Sequence, residues 1–251
     1  MQYKVFPKLQ KIEYIQRTKY YKAADLIKKS KSSKILISRE FDQQLEREIK
    51  SFTSQIKSAT PIIVFRRHDS YILSQYKRFI KNGFVTNFSD FFSLNENNTL
   101  FSKEDLNYYN KIKLLEKYFN KKPIVLIYED LKKDSHHFIN KIATLLNSEI
   151  KTNEINTKKK HASYNTKQLK TIIFFSKILN LKKRRVFTNI ILHFIWRILM
   201  GSIRYSILYI SYLIPDLFYN KKPLVTEIKL NEIKEYFKND WNKCLDYSKK
   251  N

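Results

Sequence analysis

The stretch that decides the fold is residues 62–83, which read IIVFRRHDSYILSQYKRFIKNG. It opens with four consecutive apolar residues, Ile62 to Phe65, and a short run of this kind is typical of a strand buried on both faces. From Ile72 onward apolar residues recur at helical spacing, which predicts a helix that begins within about three residues of Arg66 and stops at Asn82-Gly83. A buried strand followed directly by a helix indicates a parallel α/β fold.

The same alternation of strand and helix extends on both sides of this stretch. Short apolar runs predict two more strands, at 34–38 and 124–128. Helical spacing predicts further helices over 41–56 and 105–119, with another that begins at Asp134 or Ser135 and carries its apolar stripe to Leu146. Past residue 165 the pattern predicts helices alone, near 166–181, 187–213 and 230–248. We therefore expect an α/β core over 1–165 and a helical extension, 166–251, that packs on it.

The scarcity of glycine excludes several classes of enzyme. The 251 residues include two glycines, Gly83 and Gly201, which are too few and too far apart for a dinucleotide-binding loop, a Walker loop or a nucleophile elbow. The single cysteine, Cys244, excludes an internal disulfide and a cysteine-based zinc site. Any phosphate that the protein binds must therefore be held by helix ends and side chains.

The chain is strongly basic, since 49 lysines and arginines stand against 23 acidic residues, which gives 49 − 23 = +26. Such a charge favours anionic partners such as nucleic acid, phosphorylated cofactors, sulfated glycans or anionic membranes. An AT-rich genome would explain the abundance of lysine, asparagine and isoleucine equally well. The sequence shows no RNA-recognition, zinc-finger or helix-turn-helix pattern, so no specific nucleic-acid partner is expected. A non-catalytic basic module that binds nucleic acid or anionic membrane remains the alternative function.

Charged side chains follow two of the predicted strands. Arg66 and Arg67 come directly after the strand 62–65, and Ser74 lies on the polar side of the helix that follows. Ligands of open parallel sheets bind beyond the carboxyl ends of the strands, so this arrangement predicts a phosphate site built without glycine. The alternative is that both arginines pair with Glu129 or Asp130 at the end of the strand 124–128.

The strand that ends in Arg66, with Ser74 eight residues on, resembles the 3′-phosphate-binding motif of sulfotransferases, most closely the bacterial carbohydrate-type enzymes. Two further segments are similar to this family in order and spacing. They are VLIYEDL at 125–131 and HASYN at 161–165. The resemblance covers roughly residues 30–180. It implies a three-layer P-loop-like parallel sheet with flanking helices, of which residues 1–165 would form a partial sulfotransferase-like core.

The resemblance also implies a reaction. A sulfuryl group would pass from 3′-phosphoadenosine 5′-phosphosulfate (PAPS), without a metal, to a hydroxyl of a carbohydrate or glycolipid acceptor. Arg66 and Ser74 would hold the 3′-phosphate, with Arg67 and Ser163 as further residues that bind PAPS. The catalytic base would be Glu40, which follows the first predicted strand, or else His68. For Glu40 the alternative is a solvated or capping carboxylate, and for His68 a polar histidine at a helix start.

One element of the family is not found in this sequence. Sulfotransferases hold the 5′-phosphosulfate with a loop of lysine, glycine and threonine or serine that enters a helix, and nothing before Lys34 fits that pattern. Both glycines stand too late in the chain to supply it. The resemblance therefore leaves three interpretations open: an active sulfotransferase, an N-terminally truncated chain that is inactive alone, and an inactive sulfotransferase-like module.

The predicted helix over 187–213 combines apolar side chains with a narrow polar stripe that includes His193, Arg197 and Arg204. One interpretation is a buried or interface helix. The other is a helix that lies on an anionic membrane, with the basic run at 182–185 beside it. The charge-free stretches on either side of Arg204 are too short to cross a bilayer. Since the N-terminus also lacks a signal-peptide pattern, we expect a cytoplasmic protein with peripheral contact to the inner membrane face through 182–213.

Overall fold

A computed structural model of the protein describes residues 5–41, 43–151, 155, 164–182, 184, 186–215 and 222–250. The strands are β1 (Glu13–Ile15), β2 (Ile35–Ile37), β3 (Ile62–Phe65) and β4 (Ile124–Ile127). The helices are α1 (Ala23–Lys29), α2 (Leu45–Gln55), α3 (His68–Lys81), α4 (Phe88–Phe91), α5 (Tyr108–Phe119), α6 (Tyr128–Lys133), α7 (Ser135–Leu145), α8 (Thr166–Leu179), α9 (Ile190–Ile210), α10 (Glu227–Tyr236) and α11 (Lys238–Lys249). Short 3₁₀ helices lie at Phe6–Lys8, Arg17–Lys22 and Glu104–Leu106.

The chain folds into two compact units, each made of separate stretches. Unit 1 contains Met1–Arg67, Asn107–Lys160 and Asn239–Asn251, and unit 2 contains His68–Leu106 and His161–Lys238. The division expected at residue 165 treats the chain as two consecutive parts. The change from unit 1 to unit 2 between Lys160 and His161 lies near that division.

Unit 1 contains two small parallel sheets, so the expectation of an α/β fold with parallel strands is confirmed. β1 pairs with β2, and β3 pairs with β4 in a register that sets Phe65 beside Ile127. All three predicted strands are present within a residue or two of their expected ends. The sequence did not predict β1, which is only three residues long.

Helices pack on both faces of the sheet formed by β3 and β4. Successive side chains of a strand point to opposite faces. On one face, Leu126 packs with Phe138 and Ile142 of α7. On the other face, Ile63 packs against a cluster of Ile49 from α2 with residues of α5. These contacts bury most of β4, whereas β3 is only partly buried, with Val64 50% exposed, so the expectation of a strand buried on both faces is not met for β3.

Unit 2 is built around α3, whose buried residues Ile72, Tyr76 and Ile80 follow helical spacing. α3 packs against α8 and α10, and α8 packs against α9. The predicted helix stop at Asn82-Gly83 is confirmed, because α3 ends at Lys81 and Gly83 adopts a φ of +86°. Among the described residues after 165, regular structure is helical throughout, as expected.

The single helix predicted over 230–248 is wrong in one respect. Two helices, α10 and α11, replace it, and they are separated by Phe237, whose φ of −92° and ψ of 10° interrupt the helix. The Phe237 ring lies in unit 2, where it stacks on His68 at 4.6 Å between centroids. Its apolar neighbour in the helical pattern, Trp241, lies in unit 1. The apolar spacing is regular from Phe237 to Trp241 although the two side chains belong to different cores. The spacing therefore did not predict the break between α10 and α11.

Among the described residues, α9 is the one helix long and apolar enough to cross a membrane by length and composition. The charge-free stretches of α9 are too short to cross a bilayer by themselves, but the whole helix meets the criterion with Arg197 and Arg204 included.

Candidate functional site

The carboxyl ends of β3 and β4 bring Arg66 next to Tyr128, as the parallel pairing predicted. The Arg66 guanidinium carbon lies 5.1 Å from the centroid of the Tyr128 ring, within the range of a cation–π contact. The Arg66 carbonyl accepts a hydrogen bond of 2.9 Å from the Tyr108 hydroxyl, and the Tyr108 ring stacks on Phe65 at 4.5 Å. The backbone of Arg66 is therefore held by α5, while its cation lies over the first residue of α6.

The Glu129 side chain, which follows β4, forms a hydrogen bond to the backbone that follows β3. Its Oε1 accepts a hydrogen bond of 3.1 Å from the Arg67 amide. Glu129 thus contacts Arg67 through the backbone amide. Glu129 Oε2 is buried and has no hydrogen-bond partner among the described residues. A buried carboxylate oxygen without a hydrogen-bond partner is energetically costly.

Asp240 occupies the N-terminus of α5. Its Oδ2 accepts from the Tyr108 amide at 3.0 Å and its Oδ1 from the Tyr109 amide at 3.1 Å. Helix N-termini attract anions because their first amides have no partner within the helix. Here a carboxylate of the protein fills that place, so the N-terminus of α5 does not serve as a phosphate site. No local pattern in the sequence indicates this contact, since Tyr108 and Asp240 are 132 positions apart.

His68 and Ser74, the other residues predicted near Arg66, belong to α3 and to unit 2. The His68 side chain is 1% exposed, and its Nε2 lies 2.9 Å from the Leu106 carbonyl. A carbonyl only accepts, so Nε2 carries the proton in this contact. With its ring also stacked on Phe237, His68 fits the alternative of a structural histidine at a helix start. Ser74 is half-buried in the second turn of α3.

Glu40 lies after β2, as predicted, and forms a surface ion pair. Its Oε2 is 3.1 Å from Arg17 Nη1, and its side chain is 63% exposed. This geometry fits the alternative of a solvated carboxylate. The neighbouring Arg39 lies over the rings of Tyr20 and Tyr21, at 4.7 and 4.2 Å. Burial, with a smaller contribution from the charge of Glu48, raises the pKa of Tyr20 to about 12.

Ser163, with the basic run Lys158–Lys160, lies outside the described residues. Within the described ranges, no group of three histidine, cysteine or acidic residues could hold a metal ion. Cys244 is buried, and burial raises the pKa of its thiol, so it is not an activated nucleophile.

The structure therefore gathers Arg66, Arg67 and Glu129 at one edge of unit 1, and holds His68 and Ser74 in unit 2. In the sequence Glu129 is expected only as an alternative partner of the two arginines, and the structure shows its carboxylate bound to the Arg67 amide. Comparisons of the chain with protein-family models, curated proteins and solved structures give no match.

Proposed function

We propose that this chain is a sulfotransferase-family protein that transfers a sulfuryl group from PAPS to a hydroxyl of a carbohydrate or glycolipid. The observation that carries the proposal is the link between β3 and α3. The strand ends at Phe65 and the helix begins at His68, so Arg66 and Arg67 form the whole connection. A guanidinium at such a junction is suited to a phosphate, because it forms a planar pair of charge-assisted hydrogen bonds.

The surroundings of β3 support the same proposal. The neighbouring strand β4 is followed directly by Tyr128-Glu129, within the segment that resembles the second motif of the family. Helices lie on both faces of this strand pair, α7 on one and α2 with α5 on the other. We interpret the pair as the centre of a three-layer P-loop-like sheet.

In the proposed reaction the acceptor hydroxyl oxygen attacks the sulfur of PAPS. The bond between sulfur and the 5′-phosphate oxygen breaks, and 3′,5′-adenosine bisphosphate (PAP) leaves with the bonding electrons. The hydroxyl proton passes to a carboxylate base, for which Glu40 is the candidate. As in phosphoryl transfer, the protein contributes mainly by positioning the groups and stabilising negative charge that spreads over the oxygens. Arg66 and Arg67 would bind the 3′-phosphate and orient the donor.

Binding of PAP tests the phosphate site independently of turnover. We expect millimolar PAP to raise the melting temperature of the full chain, because a ligand at a hundred times its Kd stabilises a fold by about 2.7 kcal/mol. Adenosine 5′-monophosphate lacks the 3′-phosphate and should raise the melting temperature much less. Equal effects of the two nucleotides, or no effect of PAP, would count against the proposal.

Substitution of Arg66 identifies the residue that binds. We expect Arg66→Ala to weaken PAP binding at least tenfold, because a hydrogen bond to a charged group contributes about 1.5–3 kcal/mol. The matched control is Arg47→Ala, which removes the same charge from an exposed arginine on α2. If Arg47→Ala weakens PAP binding as much as Arg66→Ala does, the attraction comes from net charge and not from this site.

A further inference from the structure

Helix α9 exposes an unusually large apolar surface. Ile190, Ile191, Phe194, Ile195 and Ile198 are each more than half exposed, and neighbouring positions add the residues Leu192, Leu199, Tyr205, Tyr209, Tyr212 and Leu213. Soluble proteins rarely expose contiguous apolar patches of this kind. Each Å² of apolar surface left in contact with water costs about 25 cal/mol of free energy. Such a surface indicates that something apolar covers it.

Arg204 of α9 and the C-cap residue Ser211 lie on the packed side of the helix, whereas Arg197, Ser202 and Ser206 are exposed. Met200, Ile207 and Leu208 are buried, and helical spacing places Arg204 and Ser211 on the same side. Arg204 Nη1 donates a hydrogen bond to the Leu181 carbonyl at 3.2 Å. Ser211 is buried, and its hydroxyl donates a hydrogen bond to the Leu208 carbonyl.

The opposite side of α9 carries Ile191, Ile195 and Ile198. A helix of a soluble protein turns its apolar side inward. Arginine that faces protein while isoleucine faces outward is instead the arrangement of helices in contact with lipid.

The charge around α9 has one sign. No aspartate or glutamate stands between Ile155 and Pro215, a stretch that contains twelve lysines and arginines. Lys177, Lys182 and Arg184, which precede the helix, are exposed. Basic residues beside an apolar helix are attracted to anionic lipid, at about 1 kcal/mol per residue near the surface. A second copy of this chain would present the same positive charge, which opposes association through this face.

We propose that unit 2 binds an anionic lipid bilayer through α9. In this proposal α9 lies in the plane of the membrane surface, with Ile191, Ile195 and Ile198 among the acyl chains, as interfacial helices do. The exposed cations that precede it contact the headgroups. This interaction does not depend on sulfotransferase chemistry, and it would bring the protein to acceptors held in the membrane.

Flotation of the full chain with vesicles tests the proposal. We expect binding to phosphatidylcholine vesicles that contain about one third phosphatidylserine, with weaker binding to pure phosphatidylcholine and at high salt. The variant Ile191→Glu/Ile198→Glu should bind at least tenfold more weakly, because it places two charges in the apolar face. The control Leu100→Glu/Ile228→Glu has the same change in charge at matched exposure, 55% and 71% against 66% and 55% for Ile191 and Ile198, and should bind as the natural chain does.

A label on α9 keeps the test valid if the double variant fails to fold. Cys244 is fully buried, so a fluorophore attaches selectively to Ile198→Cys or to the control Ile228→Cys. We expect anionic vesicles to shift the emission to the blue at position 198 and to leave position 228 unchanged. No flotation at low salt, equal loss in both double variants, or no blue shift at 198 would each overturn the proposal. So would a soluble oligomer that dissociates in Ile191→Glu/Ile198→Glu and does not bind vesicles.

Discussion

At the scale of single residues, the two glycines have different roles. Gly83 has a φ of +86°, and a Cβ there would lie 2.2 Å from the Leu181 carbonyl oxygen, the same oxygen that accepts from Arg204. Gly201 lies within α9, and a Cβ there would meet no atom within 4 Å. Gly83 therefore permits a close approach between two segments of unit 2, whereas no packing in the structure requires Gly201.

Alanine at position 83 should lower the free energy of unfolding, whereas alanine at position 201 should raise it. We expect Gly83→Ala to lower the free energy of unfolding by more than ~1 kcal/mol, because a positive φ is unfavourable for alanine and the added carbon meets backbone. Gly201→Ala should raise it by up to ~1 kcal/mol through helix propensity. Urea denaturation followed by circular dichroism measures both. A neutral effect of Gly83→Ala would mean that the Leu181 segment moves away without cost.

The site residues differ in how far the sequence could predict them. Arg66 and Arg67 were predicted at a strand end because the apolar run before them and the helical spacing after them are local patterns. The contact of Glu129 with the Arg67 amide depends on how two strands pair. Asp240 was not predicted at all, since its partners lie far away in the sequence.

At the scale of elements, local periodicity predicted most of the helices and the three longer apolar runs. It failed where the environment changes within one regular pattern. α2 begins at Leu45 and not at Phe41, whose ring packs against Tyr20 at 5.6 Å. The break at Phe237 has the same cause, because its ring and that of Trp241 belong to different cores. Apolar spacing records that a side chain is buried but not in which core.

The cap on α5 gives a prediction at this scale. We expect Asp240→Ala to lower the free energy of unfolding by ~1–2 kcal/mol, because the Tyr108 and Tyr109 amides lose their acceptor. The matched control is Asp246→Ala on α11, the helix that also carries Asp240. This substitution breaks only an exposed ion pair with Lys249 and should change the free energy of unfolding by less than ~0.5 kcal/mol. Urea denaturation of both variants makes the comparison, and equal losses would show that Asp240 does not stabilise α5.

At the scale of the whole molecule, the net charge of +26 opposes compaction. We expect the urea midpoint of the chain to rise between about 10 mM and 150 mM sodium chloride, because the screening length falls from about 30 to about 8 Å. A midpoint that stays constant or falls would show that local ion pairs outweigh the general repulsion. Composition alone supports this prediction, whereas the division into two units depends on contacts between distant residues and could not be predicted from local patterns.

The assembly of unit 1 from three separate stretches has a consequence for biosynthesis. The last stretch, Asn239–Asn251, leaves the ribosome only after all of unit 2 has been made. Asp240 reaches Tyr108 after 132 further residues have been added, which takes about ten seconds at about 5–20 residues per second. During that interval α5 begins without its cap, and Trp241 is not yet beside the Tyr108 ring. During this period Arg66 and Tyr108 have been synthesised, but the contacts of Asp240 and Trp241 with Tyr108 have not yet formed.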